Sequence, residues 1–294
     1  MVADRSGRME ALRDAVGRNL GAEVASLAPV HGGDVAEAFR VGLADGCVVF
    51  AKTHRRPPPD FFDTEAAGLT WLRGAGTVAV PEVLAVLDDP PALVLEWIDE
   101  GRPGPTTEAD LGRALAALHA AGAPCFGRED RRTTGSRGLP NEPHDTWAAA
   151  FAANRLLPLA RLARDEGALP EPACRDLEAV ADRLPELGGP PEPPARLHGD
   201  LWAGNRLVGA GGVNWLIDPA AQGGHREFDL AMMRLFGGFG GECFAAYAEA
   251  SPLADGWEAR VPLHQLAPLA VHAIKFGGSY VGATQQALAA VLKG

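Results

Sequence analysis

Two stretches constrain the fold of this chain more than any other: Leu197-His198-Gly199-Asp200-Leu201-Trp202-Ala203-Gly204-Asn205 and Trp215-Leu216-Ile217-Asp218-Pro219. They supply a carboxylate at Asp200, an amide five residues later at Asn205, and a second carboxylate thirteen residues beyond that at Asp218. A short strand-like run separates the amide from the second acid. The three groups meet only if the chain doubles back around a pair of strands, so the fold must build a hairpin here and leave its polar ends facing one cavity.

Phosphoryl transfer needs this set of groups, because the protein contributes little covalent chemistry and mainly holds a hydroxyl, a nucleotide and Mg²⁺ in line. Asp200, on a turn opened by Gly199, suits the base that faces the acceptor hydroxyl. Mg²⁺ prefers oxygen ligands and keeps some of its waters, so one amide oxygen and one carboxylate are enough, and Asn205 and Asp218 fit. The spacing matches the kinase order His-x-Asp, four residues, Asn, then an Asp-led turn. With His-Gly-Asp and Ile-Asp-Pro in those places, the chain resembles the small-molecule kinases of the aminoglycoside phosphotransferase and choline kinase group. The ordered runs HGDLWAGN (His198–Asn205), IDPA (Ile217–Ala220), GHREFDLAM (Gly224–Met232) and LFGGF (Leu235–Phe239) resemble the fructosamine kinase, or ketosamine 3-kinase, family more narrowly.

That resemblance covers about Gly32 to Phe239 and implies an α+β, protein-kinase-like fold with two lobes. Residues 1–98 would form an N-lobe of a five-stranded antiparallel sheet plus a helix, and residues 99–294 a mainly helical C-lobe. It implies ATP and Mg²⁺ as cofactors. The acceptor would be a small sugar-amine adduct, with glycated lysine on proteins as an extension of the same class. An aminoglycoside- or choline-type acceptor, or a pseudokinase that only binds nucleotide, stand as alternatives; the second usually lacks one of the key groups, and none is missing here.

Composition narrows the surroundings. A chain of 294 residues with 47% apolar content can bury a large core. The net charge of −11 argues against nucleic-acid or anionic-membrane partners, and the charged N-terminus lacks the apolar core of a signal peptide, so a cytoplasmic enzyme, monomeric or weakly dimeric, is expected. Four scattered cysteines without metal spacing read as reduced, mostly buried thiols. Lysine occurs only at Lys52, Lys275 and Lys293, so where it is kept an ammonium is needed.

Taken in order, residues 8–20 have helical spacing. Two extended runs around Gly32-Gly33 suggest a glycine turn over phosphate. Cys47–Lys52 reads as a strand ending in the phosphate-binding Lys52, and residues 61–72 as the helix whose Glu65 holds that lysine, with Asp60 as N-cap. Residues 78–87 and 93–98 complete the sheet, and the resemblance puts the inter-lobe hinge at Glu96 and Ile98, whose main chain would meet the adenine edge. A helix follows Thr107. The loop-like 125–141 segment keeps only Asn141 of a Gln-x-Asn that the family often uses toward substrate. Residues 144–166 form a long helix that Pro158 should kink or break. Trp202, His225 and Glu227 are further candidates for the acceptor pocket, and Asp229 for a support beneath the catalytic loop. The brief 222–230 segment argues against regulation by phosphorylation of a mobile loop, and three helices close the chain.

Overall fold

The structure, a computed structural model, describes residues 2–30, 36–131, 133–134 and 138–293. The expected glycine turn at Gly32-Gly33 lies outside the described residues. Helix α1 (Val2–Leu20) leads into an antiparallel sheet built from β1 (Val24–Val30), β2 (Glu37–Leu43) and β3 (Val48–Thr53), with α2 (Phe61–Arg73) inserted before β4 (Val83–Asp88) and β5 (Pro91–Glu96). The spatial order is β1-β2-β3-β5-β4, the five-stranded sheet expected from the sequence.

Strand alternation decides what each face meets, since successive side chains point to opposite sides. Val49 and Ala51 of β3, with Ala92 and Val94 of β5, face Leu12 and Val16 of α1. Leu93 and Leu95 of β5 face the other way, onto Phe62, Leu69 and Leu72 of α2. Lys52, between Ala51 and Thr53 and paired with Leu93, therefore emerges on the α2 side. This is how a one-residue register places the ammonium beside a helix rather than in water.

One feature of α2 departs from expectation. Asp60 does not cap it: the residue sits at φ 56° and its side chain makes no cap hydrogen bond. Thr64 N–H bonds the Asp60 carbonyl instead, so the backbone turn alone starts the helix.

The remainder is helical around short strand pairs: α3 (Thr107–Ala120), β6 (Thr133–Thr134), β7 (Leu139–Pro140), α4 (Trp147–Phe151), α5 (Leu157–Asp165), α6 (Glu171–Leu187), β8 (Ala195–Leu197), β9 (Arg206–Val208), β10 (Asn214–Leu216), β11 (Gln222–Gly224), α7 (Glu227–Phe236), α8 (Gly241–Ala250), α9 (Trp257–Phe276) and α10 (Ser279–Lys293). The last three are the closing helices foreseen from the sequence.

Pro158 is accommodated without a break. A π-turn over Ala152–Leu156 joins α4 to α5, so that the proline falls in the first turn of α5, where its missing N–H costs least. The carbonyl four residues back, on Asn154, is taken up by Arg155 Nη1 at 2.8 Å. A helix irregularity thus turns an arginine inward, to 5% exposure.

A single apolar cluster runs from the sheet through α2 and α3 to the catalytic stretch, uniting Leu69, Leu93, Leu115, Leu201, Leu216 and Tyr247. A second fills the helical body around Leu159, Leu177, Leu266 and Leu288. Trp71 of α2 is gripped between the guanidinium groups of Arg128 and Arg196, 4.6 and 4.7 Å from its ring, which fixes α2 against the helical part. Among the four free cysteines, Cys174 and Cys243 are buried, whereas Cys47 is exposed and Cys125 half-buried, so burial holds for two of them.

Leu93→Ala should cost about 2–5 kcal/mol in denaturant unfolding, because it hollows the interface between sheet and α2. Leu84→Ala, on the bulged and exposed β4 edge, should stay within about 0.5 kcal/mol.

Candidate active site

The hairpin required by the sequence is present. Strands β9 and β10 pair antiparallel with Arg206 opposite Leu216, and Ile217 N–H extends the ladder to the Asn205 carbonyl at 3.0 Å. Asn205 and Asp218 are thereby adjacent at one end of the hairpin. Strand β8, paired with β11, delivers His198, Gly199 and Asp200 to the same end.

The turn at Gly199 needs glycine twice over: its φ is +81°, and a Cβ would stand 2.0 Å from the Ala220 carbonyl oxygen. Its backbone is clamped by a buried carboxylate. Asp229 at the start of α7 accepts Gly199 N–H at 2.9 Å on Oδ1 and His198 N–H at 2.8 Å on Oδ2. Behind it, His119 Nε2 lies 3.3 Å from Oδ2, and His119 Nδ1 lies 2.8 Å from the Tyr247 hydroxyl. Burial opposes ionisation of Asp229, but these hydrogen bonds and the neighbouring imidazoles hold its carboxyl below the usual range. The support assigned to Asp229 is thus built of three residues, two of them from α3 and α8.

His198 ties the two halves of the site together. Its Nε2 donates to the Ile217 carbonyl at 2.9 Å, so Nδ1 accepts, taking Asp200 N–H at 3.2 Å. One donor and one acceptor describe a neutral ring, in keeping with burial that lowers its pKa.

Asn205 is oriented by its surroundings. Its Nδ2 faces three oxygens, the Asp200 carbonyl at 2.8 Å, Asp200 Oδ2 at 3.1 Å and the Asp218 carbonyl at 3.3 Å, which leaves Oδ1 as the outward acceptor. Asp218, at φ 52°, spends Oδ1 on Lys52 Nζ at 2.7 Å, and its side chain is 45% exposed. An amide oxygen and a carboxylate oxygen remain directed at the cleft, and that donor set fits a hard, oxygen-seeking cation such as Mg²⁺.

Lys52 Nζ also lies 2.5 Å from Glu65 Oε1, so the ammonium bridges α2 and the hairpin. Burial would strip its proton, yet the two carboxylates outweigh that and raise its pKa. Burial pushes Glu65 up to about 7 against the pull of Lys52, and opposes ionisation of Asp218, which the Lys52 ammonium nevertheless keeps below the usual carboxylate range. Asp200 is pushed by burial up to about 7, the Asn205 hydrogen bond pulling the other way.

These groups line one cleft of about 400 Å³, which Trp202 also borders. Trp202 is 41% exposed, lies edge-on to Phe236 at 6.2 Å, and covers Gly204, where a Cβ would stand 2.2 Å from its ring. Other candidates lie elsewhere. Asn141 is fully buried and sits behind the cleft wall, with Arg155 Nη2 3.4 Å from its Oδ1. Glu227 and His225 are buried beneath that wall; Glu227 is bound by Arg260 at 2.5 and 2.9 Å and by His264 Nε2 at 3.3 Å. Glu96 bonds Glu82 through its backbone, and Ile98 packs beside Gly209, so both border the passage from sheet to helices. Arg155, Gln222, His272, Lys275 and Phe276, which line the cleft, were not singled out by motif; for Lys275 the rarity of lysine was the available signal.

The architecture, a twisted five-stranded sheet with one inserted helix set over a helical body, is that of the protein-kinase-like phosphotransferases. An aminoglycoside phosphotransferase superimposes with a TM-score of 0.65 at 15% identity, covering 96% of this chain and 98% of that one, a likeness of fold alone. Relationship in sequence is far more specific. The fructosamine kinase family model matches residues 9–294. A Thermus thermophilus protein named "Probable ketoamine kinase" is 37% identical over 272 residues, 89% of this chain and 92% of that protein. A Thermobifida fusca crystal structure, taken to be a fructosamine-3-kinase, superimposes with a TM-score of 0.89 at 41% identity over 97% of this chain and 99% of that one. The chain belongs to the fructosamine kinase family, and it is a phosphotransferase. Among the described residues no helix is long and apolar enough to cross a membrane.

Asp229→Ala would leave two buried N–H groups without an acceptor, a loss of about 2–4 kcal/mol by chemical denaturation, accompanied by a fall in kcat as the Gly199 turn loosens. With Asp200 pushed up to about 7, a base role for this carboxylate predicts that kcat/KM is half lost near pH 7 on the acid side, well above the range of an ordinary aspartate; a pH profile of the purified enzyme reads this directly.

Proposed function

We propose that the protein transfers the γ-phosphoryl group of ATP to a hydroxyl, the 3-hydroxyl by family resemblance, of a ketosamine. The observation that carries this reading is the meeting of Asp200, Asn205, Asp218 and the Lys52–Glu65 pair in one cleft of a fructosamine kinase family member. Residues 1–98 serve chiefly the nucleotide, and residues 99–294 the acceptor.

Asn205 Oδ1 and the Asp218 carboxylate would hold Mg²⁺, which when bound neutralises charge on the phosphates. Lys52, raised in pKa and steadied by Glu65, meets phosphate oxygens as a full cation. Gly32-Gly33 would close over the same phosphates, and the main chain at Glu96 and Ile98 would take the adenine edge. Asp200 accepts the proton of the acceptor hydroxyl, and its position beside Asn205 keeps it in line with the transferred group. The exposed face of Trp202 suits stacking on a sugar. Phosphorylation of such an adduct destabilises it and releases the amine, a repair chemistry open to free ketosamines and to glycated lysines on proteins.

Asp200→Asn should abolish ADP release with ketosamine acceptors, a loss of about 10² or more, while ATP binding by calorimetry persists. Retention of more than a tenth of the wild-type rate would remove Asp200 from this role.

A further inference from the structure

Beneath the acceptor wall lies a cluster of metal-ligating side chains that phosphoryl transfer leaves unused. His225 follows β11, Glu227 opens α7 and His264 stands within α9. They are 3%, 1% and 0% exposed. One ligand atom from each lies within 4.8 Å of the others. The two imidazole rings have centroids 5.2 Å apart, and Trp147 packs on both, at 5.5 and 5.1 Å, so an aromatic surface walls the cluster off.

Hydrogen bonding leaves this cluster incomplete. Neither ring nitrogen of His264 has a hydrogen-bond partner among the described residues; Nε2 lies 3.3 Å from Glu227 Oε2, close but out of line for a hydrogen bond. His225 Nδ1 takes only the long Glu227 N–H contact at 3.3 Å, and its Nε2 stands 4.0 Å from Glu192 Oε2. Glu227 accepts Arg260 once on each oxygen, at 2.5 and 2.9 Å, and a carboxylate has about four lone-pair positions, so acceptor capacity remains. An imidazole sealed from water with both nitrogens unpaired forfeits its hydration, and in a native protein such a group points to a water or an ion.

A metal ion suits these groups better than a proton. Burial lowers the pKa of both histidines, that of His225 to about 4, so each ring keeps a lone pair for ligation at neutral pH. Two imidazoles and a carboxylate are the donor set of a borderline divalent ion such as Zn²⁺, whereas Mg²⁺ seeks oxygen. Ligand atoms around tetrahedral zinc stand about 3.3 Å apart, so the widest pair here need close by only ~1.5 Å, within the reach of side-chain rotation. A cavity of about 20 Å³, room for one water as a fourth ligand, borders His225 and shares Gln222 and Phe228 with the main cleft. Arg260 on Glu227 and Glu192 near His225 stand behind the ligands as orienting partners.

We infer that His225, Glu227 and His264 form a second cation site, for a zinc-class divalent ion, that ties α7 to α9 behind the acceptor wall. It differs in donor chemistry from the Mg²⁺ position at Asn205 and Asp218, and it stands whether or not the acceptor is a ketosamine.

The test titrates the full-length protein, freed of metal by a chelator, with Zn²⁺ against a chromophoric competitor in excess Mg²⁺. A single equivalent should bind with a Kd of about 1 μM or tighter, and Tm should rise with it. Co²⁺ in its place should show the visible absorption of a four-coordinate site. His264→Gln and His225→Gln should each abolish stoichiometric binding, while Asp218→Asn leaves it intact. His264→Cys, which exchanges one zinc ligand for another, should keep the ion and add a thiolate charge-transfer band to the Co²⁺ spectrum. No stoichiometric zinc in the wild type overturns the inference, a buried water then completing His264. Zinc retained by both glutamine variants overturns it too, since the ion then sits on thiols or at the phosphate site. X-ray absorption at the zinc edge of the wild type needs no variant: imidazole scattering without sulfur is expected, and a sulfur shell contradicts the site.

Discussion

The position of one ammonium governs the rest of this molecule. Lys52 lies within 2.7 Å of both Glu65 on α2 and Asp218 after the β9–β10 hairpin, so it joins the sheet, the helix beside it and the catalytic stretch at a single point. Burying a cation there is tolerable only because two carboxylates accompany it, and the carboxylates are tolerable only because the cation is present. Strand alternation puts Lys52 on the α2 face, the first turn and a half of α2 puts Glu65 within reach, and the hairpin register brings up Asp218. Moving any of the three by one residue would leave a buried charge alone.

The site itself costs the fold stability. Asp200 is raised to about 7, so its carboxylate is disfavoured in the folded state, and the folded protein binds more protons than the unfolded chain between about pH 4 and pH 7. The contribution of this group to stability therefore falls as pH rises through that window. Asp218 holds a left-handed backbone that costs about 1 kcal/mol for a residue with a side chain, and Gly199 spares the chain a second such cost. The buried Asp229 platform, with His119 and Tyr247 behind it, is what keeps these conformations from relaxing.

Local spacing carried much of this to the level of sequence. HGDLWAGN and IDP encode a hairpin and its ends within twenty-two residues, and the strand alternation around Lys52 is equally short-ranged. Longer-range relations were not legible. Asp60 looked like a helix cap by residue type, yet its left-handed backbone turns the side chain away from the orphan N–H groups. Pro158 announced a break, and only packing decided that a π-turn would absorb it. Arg155 and Lys275 are 120 residues apart and share no motif, so their meeting at one wall depends on how α4, α5 and α9 pack. His119 reads as an ordinary helix residue until Asp229 and Tyr247 close on it.

The central claim is that Asn205 and Asp218 hold the metal of a phosphoryl-transfer site while Asp200 faces the acceptor. A crystal structure of the protein with Mg²⁺, a non-hydrolysable ATP analogue and fructosyl-glycine tests it most directly. The account predicts a cation about 2.0–2.1 Å from Asn205 Oδ1 and from an Asp218 oxygen, with the acceptor hydroxyl in hydrogen-bond contact with Asp200. A metal bound away from both residues, or an acceptor whose hydroxyls all lie far from Asp200, would contradict it.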